Sequence, residues 1–150
     1  PIFIKHSTMK SLIKNFAGLI CVAAILFACV KRDNNNSNNG NTNDAAVTTG
    51  TWRVSLFSER GQDETGDFAG YTFTFKSDGK LTAAKNGASK EGTWSITGNR
   101  FNIDLGIKSD NNKPLGELTD DWVIVVKNDT KISLKDDNVT SNEILEFSKN

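Results

Sequence analysis

Tyr71-Thr72-Phe73-Thr74-Phe75-Lys76-Ser77-Asp78-Gly79-Lys80-Leu81-Thr82-Ala83 is the stretch that decides the fold. Aromatic residues recur at every second position, with threonines between them. A β-strand sends successive side chains to opposite faces, so a period of two gives one apolar and one polar face. Asp78-Gly79 then supplies the residues that a tight reversal requires, and Leu81 and Ala83 resume the alternation on a returning strand.

The same period continues in both directions. Upstream, Trp52, Val54 and Leu56 alternate with Arg53 and Ser55. Downstream, strands are expected at about 90–96 (Trp94, Ile96), 100–105 (Phe101, Ile103, Leu105), 121–127 (Trp122, Ile124, Val126), 130–135 (Ile132, Leu134) and 143–148 (Leu145, Phe147). Asp63–Ala69 reads as a loop or one helical turn, and Pro114–Thr119 as a short helix with Pro114 at its first position. Eight short strands in roughly a hundred residues make an all-β domain over 47–150, an eight-stranded antiparallel up-and-down barrel or a flattened version of one. A barrel of that size is either filled by its own side chains or holds one small ligand, and alternation does not decide between the two.

The chain before residue 47 is different material. Met9 is its only methionine; Lys10 and Lys14 follow, and Phe16–Ala28 is thirteen residues without a charge. A basic start followed by an apolar run of this length is the pattern of an export signal, here 9–28, with Pro1–Thr8 read as an over-extended reading frame. As a helix such a run rises about 20 Å, short of the roughly 30 Å hydrocarbon core, which disfavours a permanent span. The run ends Leu26-Phe27-Ala28-Cys29 and gives way at once to Lys31-Arg32-Asp33. This ending resembles the lipobox of bacterial lipoproteins, which implies that the Cys29 thiol receives a diacylglyceryl group and that a peptidase then cuts before it, where small Ala28 suits the cleavage. Two or three acyl chains, palmitate among them, hold a protein durably at about 0.8 kcal/mol per buried methylene. Cys21 is a poor rival, since bulky Ile20 precedes it and apolar residues continue beyond it.

Residues 29–46 make a spacer. Asn34–Asn43 holds seven asparagines in ten residues and no apolar side chain, so it cannot bury enough surface to offset its ordering entropy and is expected to be a disordered tether. A calcium-loop reading fails for want of a glycine at the sixth position and a closing glutamate at the twelfth.

Composition excludes several activities. The formal charge of zero conceals a split: removing Lys5, Lys10 and Lys14 from 18 basic residues leaves 15 against 18 acidic ones, a net charge of −3. Basic residues of the domain are scattered, with no row to neutralise phosphates, so nucleic acid is not an expected partner. His6 is the only histidine and precedes the expected mature start; with Cys21 removed and Cys29 acylated, no imidazole and no free thiol remain. His-assisted serine or cysteine hydrolysis and the common zinc sites are thereby excluded, and no metal or cofactor is expected. Asp120-Asp121 and Asp136-Asp137 are adjacent pairs, but neighbours on a strand point to opposite faces and form no working dyad. The domain is read as non-enzymatic. Seven aromatics, Trp52, Tyr71, Phe73, Phe75, Trp94, Phe101 and Trp122, are expected to point inward. They serve either as packed core or as an apolar cup for a small hydrophobic ligand.

Gly50-Thr51-Trp52 resembles the glycine-x-tryptophan signature of lipocalins. With Tyr71-x-Phe73-x-Phe75, Asp78-Gly79, Gly92-Thr93-Trp94, Pro114-Leu115 and Asp121-Trp122, the domain resembles the lipocalin-like domains of Bacteroidetes lipoproteins over about residues 48–149. The resemblance implies a lipocalin-like barrel and placement on the outer membrane. Typical lipocalins carry an arginine after the last strand that packs over the first tryptophan; here the nearest counterpart is Lys149. The resulting expectation is a monomeric lipoprotein of the bacterial envelope. Either it binds a small apolar molecule inside the barrel, or it meets other envelope proteins with a filled barrel.

Overall fold

The structure, a computed structural model, describes residues 44–150. The expected signal at 9–28, the anchor Cys29 and most of the expected tether lie outside the described residues. Within them a helical turn, α1 (Ala45–Thr48), precedes β1 (Trp52–Glu59), β2 (Gln62–Asp63), β3 (Thr72–Phe75), β4 (Lys80–Lys85), β5 (Ala88–Thr97), β6 (Arg100–Asp104), β7 (Asp120–Lys127), β8 (Lys131–Lys135) and β9 (Ile144–Lys149). Every ladder is antiparallel between sequence neighbours from β3 to β9, and β9 pairs back onto β1 from Trp52↔Lys149 to Ser58↔Ile144. Eight strands thus close the all-β barrel that the alternation predicts. β2 is a two-residue flap on the end of β1.

Closure is weakest between β1 and β3, which share one ladder pair, Trp52↔Phe73. The connection between them fills the gap. Its residues Thr65–Phe68 form a 3₁₀ turn. The Thr65 hydroxyl accepts from the Phe57 amide at 2.8 Å, the Glu64 amide donates to the Phe57 carbonyl at 2.8 Å, and buried Phe68 meets Phe57 edge-on at 5.2 Å. The second expected helix is also a 3₁₀ turn, Leu115–Leu118, with Pro114 standing just before it as the cap. Its tight pitch turns both Leu115 and Leu118 into the core, where with Leu105 they close one end of the barrel. Gly92 permits this close approach, because a Cβ there would stand 2.2 Å from the Asp104 carbonyl oxygen and 2.8 Å from Leu105.

The interior is aromatic and solid. Phe75 on β3 meets Trp94 of β5, Phe101 of β6 and Phe147 of β9 edge-on at 5.4, 5.5 and 5.6 Å, while Trp94 stacks on Phe101 at 5.5 Å and Phe147 meets Phe73 at 5.3 Å. Each such pair adds about 0.5–1.5 kcal/mol beyond burial. The indole donors all reach backbone carbonyls of connecting segments: Trp52 to Val47 at 2.9 Å, Trp94 to Lys76 at 2.9 Å and Trp122 to Leu118 at 3.0 Å. Among the described residues no buried side-chain nitrogen or oxygen lacks a partner.

The packed unit takes in residues 44–46, which composition assigns to the tether. The Asp44 carboxylate caps α1 through the amides of Ala46 (3.1 Å) and Val47 (3.4 Å) and pairs with Lys127, while Val47 is fully buried. Lys149, at the end of β9, reaches back over the first strand. Its ammonium lies 4.4 Å from the centre of the Trp52 ring and donates to the Ala46 carbonyl at 3.1 Å.

Two outcomes follow from these contacts. Trp122→Phe removes one donor and leaves the buried Leu118 carbonyl without it, and is expected to destabilise by about 1–3 kcal/mol in urea unfolding. Burial works to raise the Asp44 carboxyl, but the hydrogen bond and charge of Lys127 and the two amides outweigh it and hold the group below its ordinary value. A lowered carboxyl stabilises the fold above its unfolded pKa, about 3.9, and loses that contribution as pH falls through the lower folded value. Urea midpoints measured from pH 6 down to 2 should therefore fall more for the natural protein than for Asp44→Asn.

Candidate functional site

The seven expected site aromatics do not share one fate. Trp52, Phe73, Phe75, Trp94, Phe101 and Trp122 are all buried, packed against one another or against core leucines. Tyr71 is not; it stands just before β3, half-buried, with the Lys85 ammonium 4.8 Å from its ring centre. Tyr71 also lines open hollows on the surface. It belongs to the wall of a depression of about 450 Å³ along the β1–β3 seam, and to a smaller one of about 150 Å³ beside Lys85 and Lys90.

A larger groove, of about 600 Å³, lies on the outer wall across β7, β8, β9 and β1, beside the β8–β9 connection. Leu56 on β1 and Val125 on β7 make its apolar floor, and each of these strands carries a β-bulge. On β1 the register against β9 slips between Val54↔Phe147 and Leu56↔Glu146, so Ser55 is an extra residue. Val54 points inward, Ser55 and Leu56 both point outward, and Phe57 resumes the inward face. The expectation that Leu56 follows Trp52 and Val54 into the core is thereby corrected: the bulge hands its place to Phe57. On β7 the register against β8 slips between Ile124↔Leu134 and Val126↔Ser133. Val125 and Val126 consequently both face outward, 55% and 39% exposed, which corrects the inward placement of Val126 as well. A bulge re-aims side chains in this way by adding one residue against a regular partner strand.

Between the two bulges the groove wall is polar but satisfied. Ser133 donates to the Glu146 carboxylate at 2.9 Å, and Lys131 pairs with its other oxygen at 2.9 Å. Burial acts to raise the Glu146 carboxyl, but these two hydrogen bonds and the Lys131 charge hold it below its usual range. At the far end the β8–β9 connection contributes Asp136, Val139 and Glu143. Val139 is 85% exposed and Ile144, at the start of β9, 39%. The Asp136 amide donates to the Glu143 carbonyl at 3.1 Å, which sets the two acidic residues side by side at the base of the hairpin. The Ser141 side chain and the amide of Asn138 hold the Asp136 carboxyl low, against some burial. Glu143 is raised, first by burial and then by the charges of Asp136, Glu59 and Asp120, with Lys108 acting against them.

The sequence carries a signal for this groove that strict alternation overlooks. Leu56-Phe57 places two large apolar residues in succession, and Trp122–Val126 runs five apolar residues without a break. Neither run fits a strand with one wet face unless a bulge intervenes. Among the described residues no group of three or more acidic, histidine or cysteine side chains is arranged to hold a metal ion.

No protein-family model matches the sequence, and no curated protein matches it. Among solved structures the chain is similar to a DUF4847 family protein from Bacteroides vulgatus, at 18% identity and a TM-score of 0.52, covering 69% of this chain and 94% of that one. At that identity the likeness concerns the fold alone.

The bulges separate neighbours that a regular strand would place the other way round. Leu56→Asn is expected to cost about 1 kcal/mol or less, as an outward position. Phe57→Ala should cost about 3–5 kcal/mol, as a core truncation. Urea unfolding of the two variants checks the order; equal costs would return Leu56 to the core.

Proposed function

We propose that this chain is a bacterial envelope lipoprotein whose solid, lipocalin-like barrel is a non-enzymatic recognition module, working through the groove on its outer wall. In this reading residues 9–28 direct export, acyl chains on Cys29 hold the protein on the outer membrane, and the asparagine-rich segment spaces the barrel from the lipid. The lipobox-like Leu26-Phe27-Ala28-Cys29 supports the anchor. The Gly50-Thr51-Trp52 signature, with Lys149 over the Trp52 ring, supports the lipocalin-like reading.

One observation carries the choice of groove over interior. Phe73, Phe75, Phe101 and Phe147 are fully buried and touch across the barrel, whereas Leu56 is turned out of the wall by the β1 bulge and Val125 faces outward from β7. A recognition site needs an apolar surface that water can leave, and about 600 Å³ lies within the range of small-molecule sites, about 300–1,000 Å³. A small apolar or amphipathic molecule is therefore taken from outside, along the strands, rather than within the barrel.

Two measurements test the halves of this reading. Cells making the full chain and fed radiolabelled palmitate should label the natural protein and the Cys21→Ser variant but not Cys29→Ser; an unlabelled natural protein would refute the anchor. A chain starting at Val30 retains every described core residue. Incubated with a lipid extract, it should hold a small molecule in native mass spectrometry, and Leu56→Asp/Val125→Asp should lose it while keeping a folded spectrum. Retention in that double variant would move the site elsewhere.

A further inference from the structure

The groove differs along its length, and the difference selects a ligand. One end is the apolar floor of Leu56 and Val125, and Ile144, paired with Lys135 and next to Glu143, continues it. The other, at the base of the β8–β9 connection, is acidic, with Asp136 and Glu143 side by side. The third carboxylate of the lining, Glu146, is neutralised by Lys131 at 2.9 Å and hydrogen-bonded by Ser133. Lys108 is committed to Asp120 at 3.0 Å, outside the lining. Lys135 is the single cation among the lining residues, against two carboxylates without a salt bridge of their own.

We propose that the groove takes an amphipathic cation, its apolar body along Leu56, Val125 and Ile144 and its positive head against Asp136 and Glu143. This rests on the reading of the groove as the recognition site and names the chemical class it receives. The fit is one of charge complementarity on top of apolar burial: the floor supplies contact area without charge selectivity, and the acidic end supplies selectivity. An anionic amphiphile of equal length would gain the same apolar contact but set its head against two carboxylates. Lys131 is already engaged by Glu146, so Lys135 is the one lining cation such a head could meet, and it stands beside Asp136. Burial is the first cause that raises the Glu143 carboxyl, and the charges of Asp136, Glu59 and Asp120 add repulsion to it against the opposing charge of Lys108. A bound cation would relieve that repulsion, so Glu143 should ionise more readily in the complex, and binding should weaken as acid protonates it.

The test uses isotope-labelled protein from Val30 onward with three amphiphiles of one chain length, each below its micelle concentration: decyltrimethylammonium, decyl sulfate and decyl maltoside. The ammonium compound should shift the amide resonances of Leu56, Val125, Glu143 and Ile144 and bind roughly tenfold more tightly than the sulfate, with the margin shrinking as salt is added. Glu143→Gln, and separately Asp136→Asn, should each narrow the margin while leaving maltoside binding and the rest of the spectrum unchanged. Sulfate or maltoside binding as tightly as ammonium at these residues would overturn the cation preference yet leave the groove as a recognition site. A margin that survives both variants would overturn it too. No shift at the groove from any of the three would remove both readings together.

Discussion

Phe75 is the residue through which the barrel holds together. It projects from a strand of only four residues, Thr72–Phe75, and meets rings from β5, β6 and β9, none of which pairs with β3. Ladder hydrogen bonds tie each strand to its neighbours, but a contact across the interior fixes strands that never pair. Antiparallel ladders alone leave a curled sheet free to open where pairing is thin, and between β1 and β3 it is a single residue pair. Edge-to-face rings from opposite walls resist such opening, since separating them exposes a large apolar area and costs the specific ring geometry. The same contacts decide what the interior can do. A ring junction in the middle of an eight-stranded barrel occupies space that an interior ligand would need.

Both ends of the barrel depend on this core through the indoles. A tryptophan in an apolar interior must place its N–H on an acceptor, and here each acceptor is the carbonyl of a segment that would otherwise be a loose connection. Trp52 holds α1, Trp94 holds the β3–β4 turn and Trp122 holds the 3₁₀ turn before β7. The connections are thus positioned by core residues rather than by their own propensity. This explains how the polar-looking stretch at 105–119 sits firmly enough to bury Leu105, Leu115 and Leu118. Lys149 works in the same direction. Its ammonium over the Trp52 ring, bonded to the Ala46 carbonyl, joins the last strand to the segment ahead of the first.

The strands were legible because alternation is imposed by geometry: with one face wet and one buried, a period of two survives in the sequence. Trp94, Phe101 and Trp122 lie where that period puts them. Tyr71 sits one step outside its strand, at the seam where β3 has left β1, and the period that assigned it inward does not report where pairing ends. Leu56 and Val126 misled for a different reason. A bulge adds one residue and inverts every later position of its strand, so a pattern that assumes constant register reads the first half of β1 and β7 correctly and the second half upside down. Phe57 is the clearest trace of the inversion, buried at a position that plain alternation would put in water. The acidic end of the groove left no trace in the sequence, because Asp136 and Glu143 become neighbours only through the hairpin that joins β8 to β9.

A closed and filled barrel has few places to put a recognition surface. Closure removes the edges onto which a peptide strand could add, and filling removes the cavity. What remains is the outer wall, where alternation normally sets polar side chains. Turning apolar residues outward there by simple substitution would put them among ordinary solvated neighbours. The β1 bulge acts differently: it keeps Phe57 on the inner face while releasing Leu56 to the outside. Val125 faces outward from β7, and the two-strand span of β8 and β9 lies between them, so Leu56 and Val125 face the same groove from opposite sides. The barrel thereby gains an apolar external surface without giving up interior packing, and that surface can vary in sequence with little consequence for the ring junction that maintains the fold.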